Sequence, residues 1–174
     1  MRVRLAARLS RRLSRRLSPR YPSLDALTGG ASELRLRQAE DALSYVEGPL
    51  SGAGLPTADV RSKPDCFYVG YAGGDRVGVG GVETHGSEGL LRSVVVDPPA
   101  RGREVGTARC VALERRTRAD GVDTLYLLTT TAAGFFADCG YAAIDRSVVP
   151  AAIRETDEFA DLCPSTATWM RKSL

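Results

Sequence analysis

The 174-residue chain has one histidine, one tryptophan and an aromatic content of only 6%, and its four cysteines (Cys66, Cys110, Cys139, Cys163) stand far apart with no CxxC pair. A zinc site needs closely grouped Cys and His ligands, so this scarcity argues against a metal. No stretch approaches the roughly 20 apolar residues of a membrane-spanning helix. The arginines near the start are not followed by the apolar segment that an export signal requires. These absences lead us to expect a cytoplasmic protein whose thiols are reduced.

Negative charge is missing from residues 1–20, which hold eight arginines and no acid, whereas the rest of the chain carries 16 bases against 21 acids. The net charge of +3 and the pI of 8.8 therefore belong to the terminal segment, and the remainder has no basic signature for nucleic acid. The repetitive ARLSRRLSRRLSPR, with Leu5, Leu9, Leu13 and Leu17 four apart, leaves two readings open. One is a basic amphipathic helix at an acidic surface, and the other a solvated low-complexity tail kept disordered by like-charge repulsion. We expect a disordered tail over residues 1–32 and one domain over residues 33–174. That domain is expected to be a monomer or homodimer, with neither nucleic acid nor membrane among its partners.

What is present is well punctuated by glycine and proline. Leu34–Arg37 reads as a short edge strand, Glu40–Val46 as a helix stopped by Gly48 and Pro49, and Leu50–Asp65 as a loop. Cys66–Ala72 and Arg76–Val82 form a hairpin about Gly73, Gly74 and Asp75, and Leu90–Val96 is a third strand ended by Pro98 and Pro99. A long helix over Val105–Asp120 is predicted to bury Ala108, Val111, Ala112 and Ala119, to turn its arginines outward, and to be capped by Gly121. The strand Val122–Leu128, the helix Ala132–Cys139, the strand Tyr141–Asp145, a helix over 150–161 and the strand Thr166–Arg171 complete an α/β chain.

The segment from Val94 to Thr107 is the most informative. A strand runs into a loop bearing Arg101, Gly102 and Arg103, followed by Glu104, Val105, Gly106 and Thr107 at the start of the long helix. Unpaired N–H groups and the positive dipole end of such a helix suit a diphosphate. It is neither a Rossmann fingerprint nor a P-loop.

Strand, V-x-P and RGRxxG opening a helix resembles the acetyl-CoA loop of the GNAT acetyltransferase superfamily, and the element order is similar across residues 33–172. Four further blocks, 54–57, 90–94, 125–132 and 158–164, resemble the arsenic-resistance N-acetyltransferase branch. The resemblance implies a mixed, mostly antiparallel central sheet with splayed middle strands and flanking helices, and acetyl-CoA as co-substrate of an N-acetyltransferase acting on a small-molecule amine. It assigns the cofactor to Val94, Val95, Val96, residues 101–107 and Phe136, and places Thr131 beside the acceptor. Two departures stand out: Glu104 replaces a glycine of the family loop, and Phe136 replaces a tyrosine that reprotonates the leaving thiolate.

A neutral amine must lose a proton as it attacks a thioester, and Glu83, on the strand before the cofactor strand, fits the base by position. A surface role for Glu83, and His85 as the base, stay open. Arg92, within an apolar run, is expected to face a pocket and hold an anionic acceptor group, the alternatives being that it snorkels from a sheet edge or pairs with Glu83. Cys163 reads as a structural thiol. A non-catalytic acyl-CoA-binding module is the other reading of the whole. Deletion of residues 1–30 is expected to leave the circular dichroism spectrum and CoA affinity unchanged; a truncated chain lacking a cooperative thermal transition contradicts this division of the chain.

Overall fold

The computed structural model describes residues 33–160 and 166–174. The tail over 1–32 and Cys163 lie outside those residues. Seven strands, β1 (Arg35–Gln38), β2 (Phe67–Ala72), β3 (Asp75–His85), β4 (Glu88–Val96), β5 (Thr124–Thr129), β6 (Ala142–Ile144) and β7 (Thr168–Ser173), form one sheet in the order β1-β2-β3-β4-β5-β7-β6. Only β4 and β5 run parallel; the other neighbours are antiparallel. Gly73 and Gly74 both take positive φ, 60° and 95°, which is the conformation of a two-residue turn whose twist matches the strands of the β2–β3 hairpin.

Helices cover both faces. On one lie α2 (Arg103–Ala119) and α3 (Ala133–Asp138). They close a core that includes Val82, Leu91, Cys110, Leu113, Leu125, Leu127, Phe136 and Met170. On the other, α1 (Leu43–Gly52) packs Val46 and Leu50 on Phe67, Val69, Val79 and Val95. Further along that face α4 (Ala151–Arg154) sets Ile153 against Leu90, Tyr126 and Trp169, and α5 (Asp157–Ala160) adds Phe159.

Three helices differ from the reading of the sequence, and the one expected over 150–161 is broken at Glu155 and Thr156 into α4 and α5. Pro49 lies inside α1, which runs on to Gly52 because Leu50, fully buried, anchors its last turn. The buried face of α2 is formed by Gly106, Arg109, Cys110, Leu113, Glu114 and Thr117, while Ala108, Val111 and Ala112 are half-buried and Ala119 is exposed. Alanine spacing pointed to the wrong stripe because a small side chain contributes little burial wherever it lies. Gly121, at φ 92°, does end the helix, with Val122 donating to the Thr117 carbonyl across it.

Candidate functional site

The centre of the sheet comes apart. β4 pairs with β5 from Glu88↔Thr124 to Leu91↔Leu127. Past that point β5 stays on β7 as far as Thr129↔Thr168, and β4 stays on β3 as far as Val96↔Gly78. A bulge marks the fork: Arg92 stands opposite Gly81 and Val95 opposite Val79, so Ser93 and Val94 together face Gly80. Ser93 takes φ 56°, the one positive value at a non-glycine among the described residues. Asp97 N–H donates to the Val77 carbonyl at 3.1 Å. By the alternation of an antiparallel ladder, Val95 and Asp97 then bond toward β3, and the backbone groups of Val94 and Val96 point to the open edge. Such groups require a partner.

A cavity of about 290 Å³ lies along that edge. Val94 and Val96 form its floor, Arg101, Gly102 and Gly106 one wall, and Ala132, Phe135 and Phe136 the other. Gly102 is the N-cap of α2 and makes no side-chain cap, so the N–H groups at the start of that helix remain available to an anion. A Cβ at Gly106 would lie 3.2 Å from the Phe135 ring, so glycine lets α2 and α3 approach closely.

Six of the residues expected at the cofactor, Val94, Val96, Arg101, Gly102, Gly106 and Phe136, thus line one cavity. Arg103 opens α2, Glu104 is exposed in its first turn, and Val105 and Thr107 are half-buried outside the lining. Glu104 at an exposed helix start interacts favourably with the dipole, by about 0.3–1 kcal/mol. Val95 does not belong with its neighbours: its side chain packs in the α1 core and its carbonyl accepts from Arg109. The bulge turns it to that face. Thr131 is exposed, next to Ala132 of the lining. Phe136 stacks edge-on against Phe135 and Tyr141, at 5.1 and 5.8 Å between centroids. The Tyr141 hydroxyl is buried behind it, and burial raises its pKa.

On the opposite face, at the apex of the fork, lies a cluster of charges. Arg92 donates through Nη1 to both Glu83 and Asp59, and through Nη2 to Asp59 Oδ1 at 3.0 Å. Lys63 Nζ reaches Glu83 Oε2 at 3.1 Å and Asp157 Oδ2 at 2.9 Å, and His85 Nε2 stands 3.9 Å from Glu83. Burial tends to lower the Lys63 pKa, but the bonds it donates to Asp157 and Glu83 outweigh this and the net direction is up; the same contact holds Asp157 below its ordinary value. Arg92 therefore does not present its guanidinium to an open pocket, as the sequence led us to expect. Two carboxylates already meet it, and it is only 4% exposed. Asp59 escaped sequence reading because it sits in a loop, 33 residues from its partner.

A buried pair that loses one member leaves an uncompensated charge. Arg92→Met, which strands Glu83 and Asp59, is expected to cost about 3–5 kcal/mol in urea unfolding, and Asp59→Asn less, because Glu83 remains.

Residues 63–143 match the family model of the acetyltransferase (GNAT) domain. No curated protein sequence matches the chain. Among solved structures, a Mycobacterium tuberculosis protein in complex with CoA is 21% identical over 80% of this chain and 99% of its own, with a TM-score of 0.67. N-acetylglutamate synthase from Neisseria gonorrhoeae, complexed with coenzyme A and N-acetyl-glutamate, is 16% identical over 81% of this chain (TM-score 0.66), which spans 35% of that longer protein. A GNAT-family acetyltransferase from Staphylococcus aureus is 14% identical over 81% of this chain and 99% of its own, with a TM-score of 0.60. The parted sheet with its flanking helices is the GNAT fold, and the cavity along β4 lies within the segment that matches the acetyltransferase domain.

Proposed function

We propose that the chain is an acetyl-CoA-dependent N-acetyltransferase that acetylates the primary amine of a small molecule. The observation that carries this reading is the open edge of β4 above a cavity ending at the uncapped start of α2. The amide-bearing arm of CoA would lie against Val94 and Val96 as a strand does, with its diphosphate at the N–H groups after Gly102 and beside Arg101. Phe135 and Phe136 would shield the thioester from water. Bound acetyl-CoA supplies the activated acetyl group, and the two fold neighbours solved with CoA add support.

The acceptor would approach from the side of Glu83 and Arg92, with Thr131 at the rim. Its nitrogen attacks the thioester carbon, the C–S bond breaks, and the ammonium proton must leave. Glu83, whose oxygens are held by Arg92 and Lys63, would take that proton through water. Solvent would protonate the departing thiolate, because Phe136 offers no phenol. The resemblance of residues 90–94 and 125–132 suggests an amino-acid-like arsenical or related toxic analogue as acceptor. Phe136 and the fully engaged Glu83 favour a second reading, a non-catalytic acyl-CoA-binding module.

Acetyl-CoA at a hundredfold excess over Kd is expected to stabilise the native chain by about 2.7 kcal/mol, seen as a higher thermal midpoint; no shift at millimolar ligand overturns both readings. Thiol release with a panel of amines supports the enzyme, and tight binding without release supports the module. In the enzyme, Glu83→Gln should lower kcat most at low pH, where free amine is scarce.

A further inference from the structure

Arg109, in the second turn of α2, is completely buried. It lies over a stretch of sheet that carries no side chains. A Cβ at Gly70 would stand 2.8 Å from its Nη2, and one at Gly78 would stand 2.5 Å from its Nη1; Gly80 makes the corresponding room for Leu113, at 2.7 Å. In this trough Arg109 Nη1 donates to the Val95 carbonyl and, at 3.2 Å, to the Val79 carbonyl, while Nε and Nη2 have no hydrogen-bond partner among the described residues. Burial lowers its pKa, and the charge of Asp97 opposes that effect. Asp97 is itself held by the Tyr45 hydroxyl of α1.

Burying a cation without a contact ion pair is expensive, and an apolar side chain would fill the same trough more cheaply. What a methionine or leucine could not do is donate to two backbone carbonyls at once. The Val95 carbonyl and the Val96 N–H share one planar trans peptide and point in opposite directions. A donor that fixes the carbonyl on the β3 side therefore also fixes the N–H toward the open edge.

We propose that Arg109 is a positioning residue for the cofactor strand: by holding the Val95 carbonyl it aims the Val96 N–H into the fork, so that CoA meets a pre-set donor. This inference rests on the reading of the cavity as a CoA site. Arg109 touches no ligand itself; it acts through the peptide between Val95 and Val96. Preorganisation of this kind acts on affinity, because the ordering has been done before the ligand arrives.

Gly70 allows a test that leaves the site untouched. It lies on β2, two strands from the fork, and the three atoms nearest a Cβ added there all belong to Arg109. Gly70→Ala would therefore shift the guanidinium without removing it. The full chain, Arg109→Met and Gly70→Ala would be titrated with CoA by calorimetry, and the Val96 amide followed by nitrogen-15 NMR. Arg109→Met is expected to weaken CoA by about tenfold, the worth of the one hydrogen bond from the Val96 N–H that is no longer pre-set, and Gly70→Ala by a smaller factor, with the Val96 amide displaced in both. If Arg109→Met does not fold, Gly70→Ala decides alone. Unchanged affinity in folded variants, or weaker binding with the Val96 amide unmoved, overturns the proposal while leaving the CoA reading intact. A parent chain that binds no CoA removes that reading, and the inference with it.

Discussion

Beyond Leu91 the backbone of β4 has β3 on one edge and no strand pairing on the other among the described residues. Exposed N–H and C=O groups in the middle of a sheet are costly unless water or a ligand meets them. The rest of the site is arranged around that vacancy in the ladder. Helix α2 begins where the open edge ends, and α3 roofs it with two phenylalanine rings. Gly106 lets those two helices approach closely enough for the cavity to have walls rather than a mouth.

Two buried guanidinium groups flank the bulge, one on each face of β4, and they are met in different ways. Arg92 precedes the bulge and is neutralised by carboxylates from β3 and from the loop after α1. Arg109 descends from α2 onto the residues after it and is met by main-chain carbonyls. The first arrangement is a charge balance whose members must be changed together. The second needs room more than charge, and the glycines of β2 and β3 supply the room. The strained Ser93, which costs of order 1–3 kcal/mol in its left-handed conformation, sits between the two.

The order of elements was legible because glycine and proline mark nearly every boundary, and the cavity lining at 101, 102 and 106 was legible because an arginine- and glycine-bearing loop that opens a long helix suits a diphosphate and resembles a known cofactor loop. Face assignments were less so. Alternation alone separates Val95 from Val94 and Val96, so grouping all three by their place before the loop overlooked it, and what the upstream bulge hides is which of the two faces is the cavity's. On α2, arginine was read as a surface residue, which is sound for most arginines and wrong for Arg109. The signal that could have exposed it was the spacing of Gly70, Gly78 and Gly80, a sheet surface stripped of side chains that something large had to fill. Asp59 carried no local signal at all, since only the folded chain brings it to Arg92.

The extra residue in β4 also sets a phase. Before it, Leu91 faces α2 and Arg92 the opposite core; after it, Val94 and Val96 face the cavity and Val95 the α1 core. An uninterrupted strand would put Val95 on the cavity side and bury Val94 and Val96 with α1. The two halves of the strand are therefore out of step by one residue, and the distinction between a cavity-facing valine and a core valine is a matter of counting. Substitutions at 94, 95 and 96 can be absorbed by packing, and loss of Ser93 would restore plain alternation with Val94, Val95 and Val96 on their present faces, whereas pairing Ser93 in register would exchange the inside and the outside of the site with its composition unchanged.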